Sequence, residues 1–89
     1  MKLKYEFEYI EIGDEINAVP VGDSAEKFHG IVRTSESARE IMKMLEKEND
    51  EDSIVKLLSE KYTGSSKNEI EEHVHTFLQE LKDAGLVEL

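Results

Sequence analysis

The sequence predicts an α+β protein in which a three-stranded antiparallel sheet is followed by three helices. Three observations lead to that reading. Up to about residue 33, apolar and polar residues alternate with a period of two; after it they recur at helical spacing; and turn residues separate the segments. The change of period falls inside Lys27 to Leu45. Phe28 and Val32 share one face of an extended segment, with Lys27, His29 and Arg33 on the other. Thr34-Ser35 then offers N-cap chemistry, Glu36 suits the positive end of a helix dipole, and Ala38, Ile41, Met42 and Leu45 form a helical stripe.

In chain order, Tyr5, Phe7 and Tyr9 alternate with Glu6 and Glu8, after which Ile10 and Ile12 take the opposite parity, so a bulge or a twist is expected near Tyr9-Ile10. Gly13-Asp14 supplies a turn. Ile16 to Val21 reads as the second strand, in which Pro20 belongs at a bulge, a strand end or an unpaired side because it has no N–H. Asp23 to Glu26 is a polar loop before the third strand, whose outer side is expected to be an edge.

The first helix runs from about Ser35 to Glu48. The second carries Ile54, Leu57, Leu58 and Tyr62 on its apolar face and ends at Thr63-Gly64-Ser65. Ser66-Lys67-Asn68-Glu69 is a capping box that opens the third helix, with Ile70, Val74, Phe77, Leu78 and Leu81 along its stripe and Gly85 as terminator. Leu86 to Leu89 can form a short tail strand.

Composition narrows the function. With 89 residues, one domain over residues 1–89 is expected, and 38% hydrophobic against 36% charged residues still leaves apolar periodicity that argues for folding. The absence of cysteine rules out disulfides, thiolate metal sites and cysteine nucleophiles, and suits a cytoplasmic location. The N-terminal MKLKYEFEYIEI has no signal-peptide apolar core, so neither export nor membrane insertion is expected. The formal charge of −10 repels nucleic acid unless basic residues gather on one face, and no predicted helix gathers them.

Catalytic chemistry finds no support. His73 and His75 are two residues apart, roughly 200° around a helix, and do not converge on one ion. The carboxylates lie opposite the apolar stripes, where solvation accounts for them, and the glycines sit at turns and caps. No cofactor or metal is implied. The second and third helices outline a winged-helix DNA reader, the alternative reading. The third helix, however, carries Glu69, Glu71, Glu72, Glu80 and Asp83 against Lys67 and Lys82, the wrong sign for phosphates. Peptide recognition remains: the third strand, the most basic segment, has an edge to which an extended peptide can add, although its cations also suit a guard against aggregation.

Ala18 to Gly22, Phe28 to Arg33 leading into the first helix, Ala38 to Leu45, and the spacing Val74, Phe77, Leu78, Leu81, Gly85 and Leu86 resemble the PqqD family. These are small proteins named for coenzyme PQQ synthesis protein D and also called leader-peptide recognition elements. The resemblance implies a winged-helix-like, non-catalytic module that captures the leader of a ribosomally made precursor peptide. The leader adds to the third strand, is clamped by the third helix, and is presented to a modifying enzyme, often a radical S-adenosylmethionine (SAM) maturase. Thr34-Ser35 replaces the family's common Leu-Asn, and His73 stands where an acidic residue commonly precedes the helix valine.

Carried over by position, Phe28, His29, Gly30, Ile31, Val32 and Arg33 supply the peptide-binding edge, with Ile31 and Arg33 as side-chain contacts. Glu71, Val74, His75 and Leu78 line the groove from the third helix, with the opposite flank, His73 and Glu80, as the other choice.

Overall fold

In the computed structural model, which describes residues 1–89, the order of elements is β1 (Lys2–Leu3), β2 (Phe7–Ile12), β3 (Glu15–Pro20), α1 (Ser24–Lys27), β4 (Val32–Thr34), α2 (Glu36–Met44), α3 (Glu51–Lys61), α4 (Lys67–Asp83) and β5 (Val87–Glu88). The main sheet is antiparallel in the order β2-β3-β4, and β1 pairs with β5 in a separate two-stranded ladder. The expected three-strand, three-helix framework is therefore present, β5 falls within the expected tail strand, and β1 and α1 are short additions.

Gly13 takes φ +61° at the first position of the two-residue loop between Ile12 and Glu15, which closes a tight hairpin whose twist matches its strands. From that turn the register is regular through six pairs, from Ile12↔Glu15 to Phe7↔Pro20, so the expected bulge at Tyr9-Ile10 is absent. The parity change has a simpler cause. Phe7 and Tyr9 pack inward, whereas Ile10 and Ile12 lie on the open face and are 46% and 66% exposed.

The third strand is shorter than expected. Ser24 to Lys27 is one helical turn closed by the Phe28 N–H donating to the Ser24 carbonyl at 2.9 Å, where a loop was expected. Phe28 to Ile31 then runs without ladder bonds, and pairing is confined to Val32–Thr34. Pro20 explains where the ladder stops. The Val21 N–H donates toward β2, to the Glu6 carbonyl at 3.1 Å, so by alternation position 20 faces β4, and a proline has no N–H to give it.

Sixteen apolar residues from both halves form one core cluster. α2 ends at Met44, earlier than expected, where donors from the N-terminal segment and from the following link take the carbonyls at its end. The Leu3 N–H donates to Leu45 O at 2.8 Å, and the Asn49 side chain donates to Met44 O at 2.6 Å. On α3, Val55 is buried in place of Leu57, which is 45% exposed. Ser66 caps α4 by accepting from the Glu69 N–H at 3.2 Å. The reciprocal half of the capping box is replaced by the Ser66 hydroxyl donating to the Glu69 carboxylate at 3.1 Å. At the other end Gly85, with φ +73°, completes a paired turn in which Leu86 N–H reaches Leu81 O and Gly85 N–H reaches Lys82 O, both at 3.0 Å. No helix is long and apolar enough to cross a membrane.

Candidate peptide-binding site

β4 lies at the border of the main sheet, and its donors divide by parity. Ile16↔Thr34 and Ala18↔Val32 are the pairs whose backbone groups face each other, since the even positions of β3 point toward β4. The N–H and C=O groups of Arg33, and of Ile31 just before the strand, therefore face outward, and no backbone group meets them. Thr34 strengthens the inner side, its hydroxyl donating to Ile16 O at 3.0 Å.

Around this edge the expected residues have distinct roles. Ile31 is 66% exposed and His29 is exposed, so both are available to a ligand. Arg33 is exposed but ion-paired with Glu15 across the sheet, a surface pair that a ligand can displace at little cost. Val32 is half-buried against the core. Phe28 turns inward, stacking on Tyr5 with ring centroids 5.8 Å apart and meeting Phe7 edge-on at 6.1 Å. Gly30 is what permits this, because a Cβ there would lie 2.7 Å from the tip of the Phe28 ring. Phe28 and Gly30 thus shape the segment, while Ile31 and Arg33 carry its outward groups.

On α4 the two histidines face different neighbours. His73 Nε2 is 2.9 Å from Ser37 Oγ, on the first turn of α2 directly after β4. A cavity of 270 Å³ adjoins this contact, lined by residues that include Ser37, Tyr62, Glu69 and His73. His75 Nδ1 instead meets Glu51 Oε1 at 3.2 Å at the start of α3, and Glu71 borders the α3 side with Asp52 and Lys56. The flank nearest the β4–α2 junction is therefore that of His73, and the structure does not bring Glu71 and His75 to the strand edge. Val74 and Leu78 are 0% and 1% exposed, core residues that seat the helix and present no surface to a ligand. The sequence left this flank as a choice because a helical stripe defines a buried face without saying which neighbour lies on each side of it.

The titratable groups carry structural loads. Burial, reinforced by Glu46 and opposed by Arg39, pushes the Tyr9 hydroxyl up to about 12, and that hydroxyl has no hydrogen-bond partner. Arg39, ion-paired with Glu11, is held more firmly protonated by that bond. The Ser53 N–H donating to the Asp50 carboxylate at 2.8 Å lowers the Asp50 pKa at the head of α3. No group of three or more histidine, aspartate or glutamate side chains is arranged to hold a metal ion.

Among solved structures the chain is similar to "TbiB1 in Complex with the TbiA(beta) Leader Peptide". The TM-score is 0.69 at 19% identity, over 99% of this chain and 95% of that one, a likeness of fold. A comparison with curated proteins gives no match. Residues 24–87 match the family model described as Coenzyme PQQ synthesis protein D (PqqD), from the helical turn before β4 through to β5. That span is well over half of the sequence, and the chain belongs to the PqqD family, whose members are non-catalytic peptide chaperones.

Proposed function

We propose that this protein binds the leader segment of a ribosomally made precursor peptide by strand addition at β4 and presents it to a modifying enzyme, a radical SAM maturase. The observation that carries this reading is the unpaired outer edge of Ile31 and Arg33, close in sequence to the turn of α2 that meets His73. An extended peptide gains backbone bonds from such an edge and register from the side chains beside it. Lys27 and Arg33 place cations along this border of an acidic protein, which favours a leader bearing carboxylates. Family membership and the leader peptide in the TbiB1 complex support the assignment; the maturase partner rests on the family resemblance.

Calorimetry with a candidate leader peptide and, separately, with duplex DNA tests the reading. The leader is expected to bind with a shallow salt dependence and DNA not to bind. A steep dependence, such as phosphate neutralisation produces, overturns the strand-addition account. Co-elution with a radical SAM enzyme in the presence of leader tests the presenting step.

A further inference from the structure

The opposite border of the main sheet is also open. β2 has six residues against three in β4. The Val21-to-Glu6 bond places the even positions of β2 toward β3, so the N–H and C=O groups of Phe7, Tyr9 and Glu11 point away from the sheet. No backbone group meets them. A cavity of 540 Å³ adjoins this border, with Tyr5, Phe7, Tyr9, Glu46 and Glu88 among its lining. On the open face Ile10 and Ile12 are 46% and 66% exposed. Free edges are commonly blunted by charged side chains, proline or a bulge; β2 has neither proline nor bulge, and its only charges are the carboxylates of Glu8 and Glu11.

We propose that the β2 edge is a second docking site, taking an extended strand from a partner protein in which lysine or arginine alternates with aliphatic residues. Aliphatic side chains on the added strand cover Ile10 and Ile12, and its cations fall on the cavity side, where Glu46 and Glu88 lie. Charge selects this occupant. Glu6, Glu8, Glu46 and Glu88 outnumber Lys2, Lys4 and Lys43, the last with its ammonium 5.8 Å from the Tyr9 ring, while Glu11 is already engaged by Arg39. A second copy of this chain would bring another formal charge of −10 to an acidic border. An acidic peptide is better served by the cations beside β4. The sheet then has two strand-accepting borders, about 10 Å apart across two strand spacings. This site goes beyond the reading of β4 and does not depend on it.

Amide hydrogen exchange on the isotope-labelled full chain tests the site, with a capped peptide of alternating lysine and valine at millimolar concentration as the probe. Exchange at Phe7, Tyr9 and Glu11 is expected to slow about tenfold, with Ile31 and Arg33 unchanged. The double variant Ile10→Lys/Ile12→Lys alters only solvent-exposed side chains; it should keep its circular dichroism spectrum and lose the protection. A peptide of alternating glutamate and valine should not protect β2. Absence of protection at the three β2 amides, protection confined to Ile31 and Arg33, or full protection in a folded lysine variant overturns the proposal. Failure of a leader to engage β4 would be read at Ile31 and Arg33, so the two outcomes remain distinguishable.

Discussion

His73 Nε2 stands 2.9 Å from Ser37 Oγ, joining α4 to the first turn of the helix that β4 leads into. Two residues further along, His75 is turned to Glu51 on α3. One helix thus presents chemically equal side chains to two different neighbours, and only the first lies beside the proposed leader site.

His73→Ala is therefore expected to weaken leader binding about tenfold, equivalent to about 1.4 kcal/mol. Stability should change by less than about 0.5 kcal/mol, because the side chain is exposed. His75→Ala should leave binding unchanged. Calorimetry and urea denaturation of both variants check the pair; equal losses of binding would show that α4 does not discriminate between its flanks.

The parity of β4 sets a second expectation. Ile31→Pro removes an outward donor and should leave a folded protein with little leader affinity. Val32→Pro removes a donor aimed at Ala18 and should unfold or strongly destabilise the chain. Circular dichroism reports folding and calorimetry reports binding. A folded Ile31→Pro variant with undiminished affinity would place the ligand elsewhere.

Tyr9 gives an alkaline signature. With its folded pKa at about 12 and an ordinary value of 10.0, the folded chain keeps the phenolic proton in a range where the unfolded chain has lost it. The contribution is fully present below pH 10 and declines as pH rises through about 12. Tyr9→Phe should flatten that part of the stability profile. Near neutral pH it should change stability little, since the hydroxyl makes no hydrogen bond to another group of the protein. Denaturation midpoints across alkaline pH, with tyrosinate absorbance, provide the check.

Phe77 is 8% exposed at the centre of the α4 stripe, and Phe77→Ala should cost about 3–5 kcal/mol. Lys82→Ala, on the helix flank, should cost less than about 0.5 kcal/mol. Chemical denaturation of the two variants distinguishes them, and similar losses would mean that the buried face is misassigned.

Much of this architecture was legible because local chemistry and packing agree. The Gly13-Asp14 turn, the Ser35 and Ser66 caps, the Gly85 terminator and the α4 stripe all occur where residue type and periodicity place them. The structure departs from the sequence expectation where the surroundings of a segment decide its conformation. Ile10 and Ile12 suggested a bulge because apolar residues on an open face look like core residues. The end of α2 depends on Leu3 and Asn49, which compete for its carbonyls. Pro20 limits pairing by its residue type alone, but its effect on β4 follows only from the register between the strands. The two flanks of α4 became distinguishable only once Ser37 and Glu51 took their places beside it.

The interleaving on α4 bears on how such a protein diversifies. Ile70, Val74, Phe77 and Leu78 hold the helix to the core, while Glu69, His73 and Thr76 occupy the neighbouring exposed positions. Because the two sets share a helix without sharing an environment, the exposed set can accumulate substitutions and acquire a new ligand preference while the anchoring set stays constant. Retargeting the protein by laboratory evolution then becomes a search over a few surface positions, with little of the library lost to misfolding.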